Sequence, residues 1–128
     1  MKRAILWAAV AATGLLGASA AVKAQDVENG GNVFRLCRAC HDVGPTAKNK
    51  VGPILNGIVG RKAGTIEGFN YSPANRKAGD AGWVWTEEKM SEYLLNPRAA
   101  MPGNKMAFAG IKDELDRKDL IAYLKTFK

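Results

Sequence analysis

The sequence of 128 residues contains only one histidine and two cysteines, and these small numbers exclude several kinds of site. Two cysteines cannot build a scaffold of several disulfides. Two thiols and one imidazole leave a zinc ion short of its usual four ligands, and no site that needs two imidazoles can form. The length allows one ordinary domain. Charged and hydrophobic shares of 24% and 47% are typical of a globular chain.

After residue 24 the sequence also lacks any long run of like charge. Its 19 basic residues outnumber 12 acidic ones, and the pI of about 9.6 would by itself suggest a nucleic-acid partner. Lys2, Arg3 and Lys23 account for three of the basic residues, so positions 25–128 carry 16 basic and 12 acidic side chains, a formal balance of +4. We therefore expect no nucleic-acid partner.

The amino terminus has the pattern of a secretory signal peptide. A basic start is followed by an uncharged stretch at 4–22 and by small residues before a cut, which we place after Ala24, with Ala20 as the alternative. The stretch is 19 residues long, enough for an uncleaved anchor, but its alanine and glycine content makes a weak one. We predict a signal peptide at 1–24 and one exported domain at 25–128, without stable membrane insertion after cleavage.

Helical patterns occur near both ends of this domain, and no sustained alternation of apolar and polar residues indicates a strand. The first helix is predicted to begin near Asp26, and the last at Asp113, which is a good N-cap. A further helix is predicted from Thr86 to the Asn-Pro pair at 96–97.

Residues 42–85 are rich in glycine, proline and asparagine, and we predict long ordered loops there, with a short helix around 73–77. Structureless segments of this length are uncommon in a compact domain. Something other than a sheet must organise them, and a large apolar cofactor would do so. We expect an all-α fold of helices and long loops wrapped around such a cofactor.

The sharpest motif is C-R-A-C-H at 37–41. Residues three apart share one face of a helical turn, so Cys37 and Cys40 can both reach the vinyl groups along one edge of a porphyrin. The imidazole of His41 can then reach the iron. A structural disulfide and a thioredoxin-like redox pair are the alternatives. The redox pair needs a preceding strand, whereas the residues before Cys37 have a helical pattern.

With one histidine on the iron, the ligand on its other side cannot be a second histidine. Methionine with histidine is a pairing found in electron-carrying haem, and the predicted domain offers Met90, Met101 and Met106. Met90 lies at helical spacing with apolar neighbours, which is typical of a core position. Met101 precedes a proline and can simply pack, while Met106 lies in a loop that could direct its side chain.

The predicted domain resembles the class I cytochromes c, most closely the bacterial cytochrome c2 group. Matching segments follow one another along essentially the whole domain: C-R-A-C-H at 37–41, V-G-P at 51–53, G-R-K-A-G at 60–64, G-F-N-Y at 68–71, N-P at 96–97, K-M-A-F-A-G-I-K at 105–112 and D-L-I-A-Y-L at 119–124. The resemblance implies the class I cytochrome c fold around one covalently attached haem c. It implies attachment at Cys37 and Cys40, with His41 and Met106 as the axial ligands.

The same resemblance assigns residues around the haem. Pro53 is expected to supply the carbonyl that accepts the ring N–H of the iron-bound histidine, which would fix the imidazole. The remaining assignments are Arg61, Tyr71 and Trp85 for contacts to a propionate, Asn75 and Tyr93 for a polar network near the methionine, and Gly30, Phe34, Leu120 and Tyr123 for the crossing of the first and last helices.

Two departures from the family pattern affect these assignments. Asn104 stands where the family usually has threonine, so the hydrogen bond there is expected to differ. The stretch 79–83 carries about three extra residues and brings Trp83 close to Trp85, which leaves open which tryptophan contacts the propionate.

The resemblance implies a soluble periplasmic one-electron carrier and not an enzyme. By analogy its donor is a cytochrome bc1 complex and its acceptor a terminal oxidase or photosynthetic reaction centre, each met transiently by a monomer. Lysines expected to ring the haem edge and steer the chain onto acidic partners are Lys48, Lys50, Lys62, Lys105 and Lys112. A peroxidase-like haem protein and a ligand-sensing haem module are the alternatives, since either needs a vacatable sixth position.

Overall fold

The computed structural model describes Gly14, Gly17 and residues 25–128. Apart from those two glycines, the predicted signal peptide at 1–24 lies outside the described residues. The α-helices of the described part are, in chain order, α1 (Val27–Val33), α2 (Pro73–Asp80), α3 (Glu87–Leu95), α4 (Pro97–Ala100) and α5 (Glu114–Lys125).

The predicted all-α class is confirmed. Over residues 25–128 the sole extended pairing is one antiparallel bridge between Lys62 and Val84. A 3₁₀ turn at Phe34–Leu36 continues α1. Among the described residues, no helix is both long enough and apolar enough to cross a membrane.

Three helix starts lie where the capping residues predicted them. The side chain of Asp26 accepts a hydrogen bond from the Asn29 amide at 2.9 Å at the start of α1. Asp113 caps α5 in the same way, and Thr86 caps α3. These side chains satisfy amides that the first turn of a helix leaves without partners, so the signal is local and readable from the sequence.

Two helices differ from the prediction. The short helix expected at 73–77 begins at Pro73 and continues to Asp80. The helix α4 has no counterpart in the prediction, because the Asn-Pro pair at 96–97 predicts only the end of α3. Proline ends one helix but is favoured in the first turn of the next, and the Asn96 side chain caps α4 by accepting from the Ala99 amide at 3.2 Å.

The crossing of α1 and α5 joins the two ends of the domain. Gly30 is buried at this crossing, where a β-carbon would lie 2.1 Å from the carbonyl oxygen of Asp119. Asp119 also accepts hydrogen bonds from the Asp26 amide at 2.8 Å and from the Asn29 side chain at 2.9 Å. Because the backbones approach so closely, these polar groups of the two helices can bond directly.

A second set of contacts ties α5 to α3 and to the segment that precedes α5. Arg117 is buried, and its guanidinium donates to the carbonyl oxygens of Ile111 and Lys112 at 2.8 and 2.9 Å and to the Ser91 hydroxyl at 3.1 Å. Leu120, next to the α1 crossing, is only 1% exposed. These helices therefore form a rigid frame against which the long loops pack.

We predict that Gly30→Ala lowers the free energy of unfolding by about 2 kcal/mol or more, because the added methyl group meets backbone that cannot give way. Gly31→Ala is the matched control. Its β-carbon would lie 3.3 Å from the ring edge of Tyr123, which can shift, and alanine favours a helix. Thermal or urea unfolding of both variants measures the difference, and equal stability of the two would contradict the prediction.

Candidate functional site

A cavity of about 250 Å³ lies between the helical frame and the loops. Its lining includes Cys37, Cys40, His41 and Met106, which come from the two ends of the domain. Most of the remaining wall is apolar: Leu36, Val51, Leu55, Ile58, Phe69, Met90, Leu94, Phe108, Leu120 and Leu124. The cavity therefore suits a large apolar group that binds to sulfur and to an imidazole.

The C-R-A-C-H motif forms a helical turn. The amides of Cys40 and His41 both donate to the Cys37 carbonyl oxygen, at 3.1 and 2.9 Å. Both thiols are free, and the residues before the motif are helical. Burial raises the pKa of the Cys37 thiol to about 11, with the charge of Cys40 contributing. A redox pair of the thioredoxin kind needs a lowered pKa and a preceding strand, so this geometry speaks against that alternative.

A hydrogen bond to backbone fixes the orientation of the His41 ring and leaves Nε2 free to bind a metal ion. Its Nδ1 lies 2.8 Å from the carbonyl oxygen of Pro53. A carbonyl can only accept, so Nδ1 carries the proton and Nε2 keeps its lone pair. Burial lowers the pKa of His41, and this outweighs the hydrogen bond to Pro53, which raises it. The ring is therefore neutral at pH 7, as metal binding through Nε2 requires.

Gly52 closes one side of the imidazole. A β-carbon at this position would lie 2.3 Å from Cε1 of His41, so only glycine lets the loop backbone lie against the ring. The Gly52 amide donates to the Cys40 carbonyl oxygen at 2.8 Å, which fixes the loop to the motif. Sequence reasoning matched V-G-P at 51–53 but assigned no role to this glycine. The signal was a glycine directly before the proline that orients the histidine.

A hydrogen bond from Tyr93 restrains the side chain of Met106. The hydroxyl of Tyr93 donates to its Sδ atom at 3.5 Å. Burial raises the pKa of Tyr93 to about 12, so the phenol keeps the proton that it donates. Met90 and Met101 are 5% and 4% exposed and pack in the core. Of these two, only Met90 borders the cavity, from α3.

Two polar residues of the cavity wall are themselves fixed by backbone. The guanidinium of Arg61 donates to the carbonyl oxygens of Ile54 and Asn56 at 3.1 and 3.2 Å. The hydroxyl of Tyr71 accepts from the Ile66 amide at 3.0 Å. Its own proton remains available for an acceptor inside the cavity.

The two tryptophans that sequence reasoning could not separate lie in different places. Trp85 lines the cavity, whereas Trp83 lies in a shallow groove with Ala78 and Lys89. The amide oxygen of Asn75, also in the cavity wall, is buried and has no hydrogen-bond partner. All seven surrounding residues assigned by the resemblance line this one cavity: Pro53, Arg61, Tyr71, Asn75, Trp85, Tyr93 and Asn104.

These residues fit a covalently attached haem. Two free thiols and a neutral imidazole share one helical turn, and a thioether sulfur lines the same apolar cavity. Polar groups of the cavity wall, including the buried amide oxygen of Asn75 that has no hydrogen-bond partner, would face the polar parts of the haem.

Known proteins with similar sequences point the same way. Cytochrome c2 of Blastochloris viridis is 55% identical over 114 residues, which cover 88% of this chain and 87% of that protein. Cytochrome c-550 of Ancylobacter novellus is 60% identical over 98 residues, which cover 77% of this chain and 92% of that protein. The chain belongs to the cytochrome c2 family. No protein-family model matches the chain.

Solved structures agree with the assignment to the cytochrome c2 family. Cytochrome c2 from Rhodospirillum centenum superposes with a TM-score of 0.76 at 46% identity, covering 80% of this chain and 98% of that one. Cytochrome cH from Methylobacterium extorquens gives a TM-score of 0.72 at 41% identity. Membership of the cytochrome c2 family means one covalently bound haem c per chain and an electron carrier rather than an enzyme.

The five lysines assigned to partner docking lie at different distances from the cavity. All five are exposed, but only Lys105 lines the cavity. Its Nζ donates to the Asn70 carbonyl oxygen and lies 4.7 Å from the centre of the Phe69 ring. Lys50 donates to the carbonyl oxygen of Arg38 in the C-R-A-C-H motif, and Lys112 to that of Leu95 at the end of α3. Lys48 and Lys62 do not line the cavity either.

We predict that Gly52→Ala displaces the His41 ring and lowers the free energy of unfolding of the haem-loaded protein by about 2 kcal/mol. Val51→Ala is the control, because the Val51 side chain is 74% exposed. Visible spectra and thermal unfolding of both variants make the comparison. A Gly52→Ala protein with the spectrum and stability of the unchanged chain would refute the packing argument.

Proposed function

We propose that this cytochrome is an exported one-electron carrier in which Cys37 and Cys40 hold the haem and His41 and Met106 bind its iron. The observation that carries the proposal is the presence of all four side chains in one cavity, with Nδ1 of His41 bonded to Pro53 and Nε2 left available. The bound haem supplies reversible one-electron oxidation and reduction of iron.

The protein groups hold both ligands in place. Pro53 and Gly52 orient the imidazole of His41, and its hydrogen bond strengthens the ring as a donor. The Tyr93 hydroxyl draws electron density from the Met106 sulfur and restrains its position. Methionine ligation and an apolar wall both favour the reduced, less charged state. His41 and Met106, if both bound the iron, would keep small molecules from it.

The polar wall would neutralise the haem carboxylates. A buried carboxylate is costly unless it is paired or hydrogen-bonded. Arg61 brings a guanidinium, and Tyr71 a hydroxyl proton that its bond from Ile66 does not use. Because Trp85 lines the cavity and Trp83 does not, Trp85 is the tryptophan that we assign to this contact.

The proposed location rests on the amino-terminal signal pattern, and the proposed partners rest on analogy with the family. A signal peptide at 1–24 would direct the export of residues 25–128 to the periplasm. We propose that the exported domain is a monomer. We propose a cytochrome bc1 complex as donor and a terminal oxidase or photosynthetic reaction centre as acceptor. The cavity wall includes two side chains that face solvent, Leu36 at 61% and Val51 at 74% exposure. An exposed apolar rim of this kind suits small, transient interfaces.

Peroxidase-like and ligand-sensing functions need a sixth position that empties readily. The hydrogen bond from Tyr93 to Met106 works against that, because it restrains the sulfur. The similarity to cytochrome c2 electron carriers extends over most of the chain. We therefore favour electron transfer over both alternatives.

We predict that Met106→Ala abolishes the absorption band that arises from charge transfer between methionine sulfur and ferric iron, because alanine offers no sulfur. Met101→Leu is the control. Met101 is 4% exposed in the core, and leucine is close to it in volume. The ferric spectrum of each haem-loaded variant decides: a band that survives in Met106→Ala, or disappears in Met101→Leu, would overturn the ligand assignment.

We predict that electron transfer from a purified bc1 complex slows as salt rises, since lysine charges steer association. Lys105→Gln should lower the rate at low ionic strength by roughly threefold and flatten the salt dependence. Lys118→Gln is the control, because Lys118 lies on α5 and pairs with Glu114 at 2.7 Å. Stopped-flow rates over a salt series test this, and a flat series for the unchanged protein would count against electrostatic docking.

A further inference from the structure

The segment that carries Met106 has little backbone support. We call residues 104–110 the methionine strap. In the described part of the chain, none of the amides from 105 to 110 donates to a backbone carbonyl outside the strap. Something other than regular secondary structure must therefore keep the strap in place.

The far end of the strap is anchored by its surroundings. The Ile111 amide donates to the Leu94 carbonyl oxygen at 2.8 Å, and the carbonyl oxygen of Ile111 accepts from buried Arg117. A β-carbon on Gly110 would lie 2.2 Å from the Leu95 carbonyl oxygen, so the backbone there lies directly against the end of α3. This end is fixed to two helices of the frame.

The near end is held by Asn104, whose backbone N–H donates to the Met101 carbonyl oxygen at 3.1 Å and whose side chain makes three further bonds. The Asn104 amide nitrogen donates to the carbonyl oxygens of Pro97 and Met101, at 2.9 and 2.7 Å. Its amide oxygen accepts from the Met106 backbone N–H at 2.8 Å. The side chain thus joins α4, the turn after it and the methionine itself.

The groups that Asn104 binds are well anchored. Pro97 is among the largest fully buried side chains of the described residues, and Met101 is 4% exposed. The Pro97 carbonyl oxygen also accepts from the Met101 amide at 3.0 Å, so the two acceptors belong to one compact turn. A strap tied to this turn is tied to the core.

Asparagine is suited to this position in a way that threonine is not. Its side chain has two N–H donors and one oxygen acceptor, whereas a threonine hydroxyl has a single proton to donate. Threonine at 104 could therefore serve only one of the two carbonyls while accepting from the Met106 amide. The second carbonyl would lose its side-chain partner.

We propose that Asn104 is a positioning residue that clamps the strap against α4 and thereby controls how often the Met106 sulfur leaves the iron. This inference rests on the proposed role of Met106 as an axial ligand. Asn104 acts through the strap, since its bonds reach backbone groups and none reaches the sulfur.

The test is the rate at which saturating imidazole replaces the methionine on ferric iron in the haem-loaded protein. Imidazole can bind only after the Met106 sulfur has left the iron, so a looser strap raises the rate of imidazole binding. We expect a rate about tenfold higher for Asn104→Ala, which corresponds to about 1.4 kcal/mol. Asn104→Thr should lie between Asn104→Ala and the unchanged protein. An imidazole rate for Asn104→Ala equal to that of the unchanged protein overturns the proposal.

Asn29→Thr is the matched control. The Asn29 side-chain amide also bridges two acceptors, Asp116 at 3.1 Å and Asp119 at 2.9 Å, but at the crossing of α1 and α5. This variant should lower the stability without changing the imidazole rate. If Asn29→Thr accelerates imidazole binding as much as Asn104→Ala does, the effect reflects general loosening and the clamp is refuted.

A second readout does not depend on the iron ligand. Hydrogen exchange at the Met106 amide should become at least about tenfold faster in Asn104→Ala, because that amide loses its acceptor. Unchanged protection would overturn the clamp. Failure of the proposed function would instead show as a Met106→Ala protein that keeps its sulfur-to-iron band, so the two failures are distinguishable.

Discussion

The site depends on holding the chain's one imidazole in a single orientation and a single protonation state. The Nδ1–H of His41 donates to the carbonyl oxygen of Pro53, with 2.8 Å between nitrogen and oxygen, and burial lowers the pKa of the ring. Each neighbouring feature serves this arrangement. The helical turn from Cys37 brings the ring beside the thiols. Gly52 has no side chain because the loop backbone must lie against the ring, where a β-carbon would overlap it.

The frame and the loops contribute differently. Helices α1 and α3 each pack against α5, and Arg117 ties α5 to α3 and to the segment before α5. The loops supply most of the polar groups around the cavity, and hydrogen bonds to backbone hold those groups: two for Arg61 and one for Tyr71. Packing of the helical frame therefore determines the shape of the cavity. The loops supply most of its polar side chains, and the conformation of the loops depends on the frame.

Features that depend on local chemistry could be predicted from the sequence. Capping at Asp26, Thr86 and Asp113 involves residues within one turn, and the C-x-x-C-H spacing carries its own geometry. Features that depend on distant contacts could not be predicted. The start of α4 was hidden because one Asn-Pro pair both ends and begins a helix. The place of each tryptophan and the bonds of Asn104 required the folded chain.

The close approach of α1 and α5 has a consequence for the order of folding. The hydrogen bond from the Asp26 amide to Asp119 spans 93 residues, so α1 has no partner until nearly all of the chain is present. Contacts this distant in sequence form late, because a long loop must close first. Under the proposed export, the first helix and the two thiols that follow it at Cys37 and Cys40 would remain exposed while the chain crosses the membrane. They would be accessible to haem-attaching enzymes before the carboxyl-terminal helix packs against them.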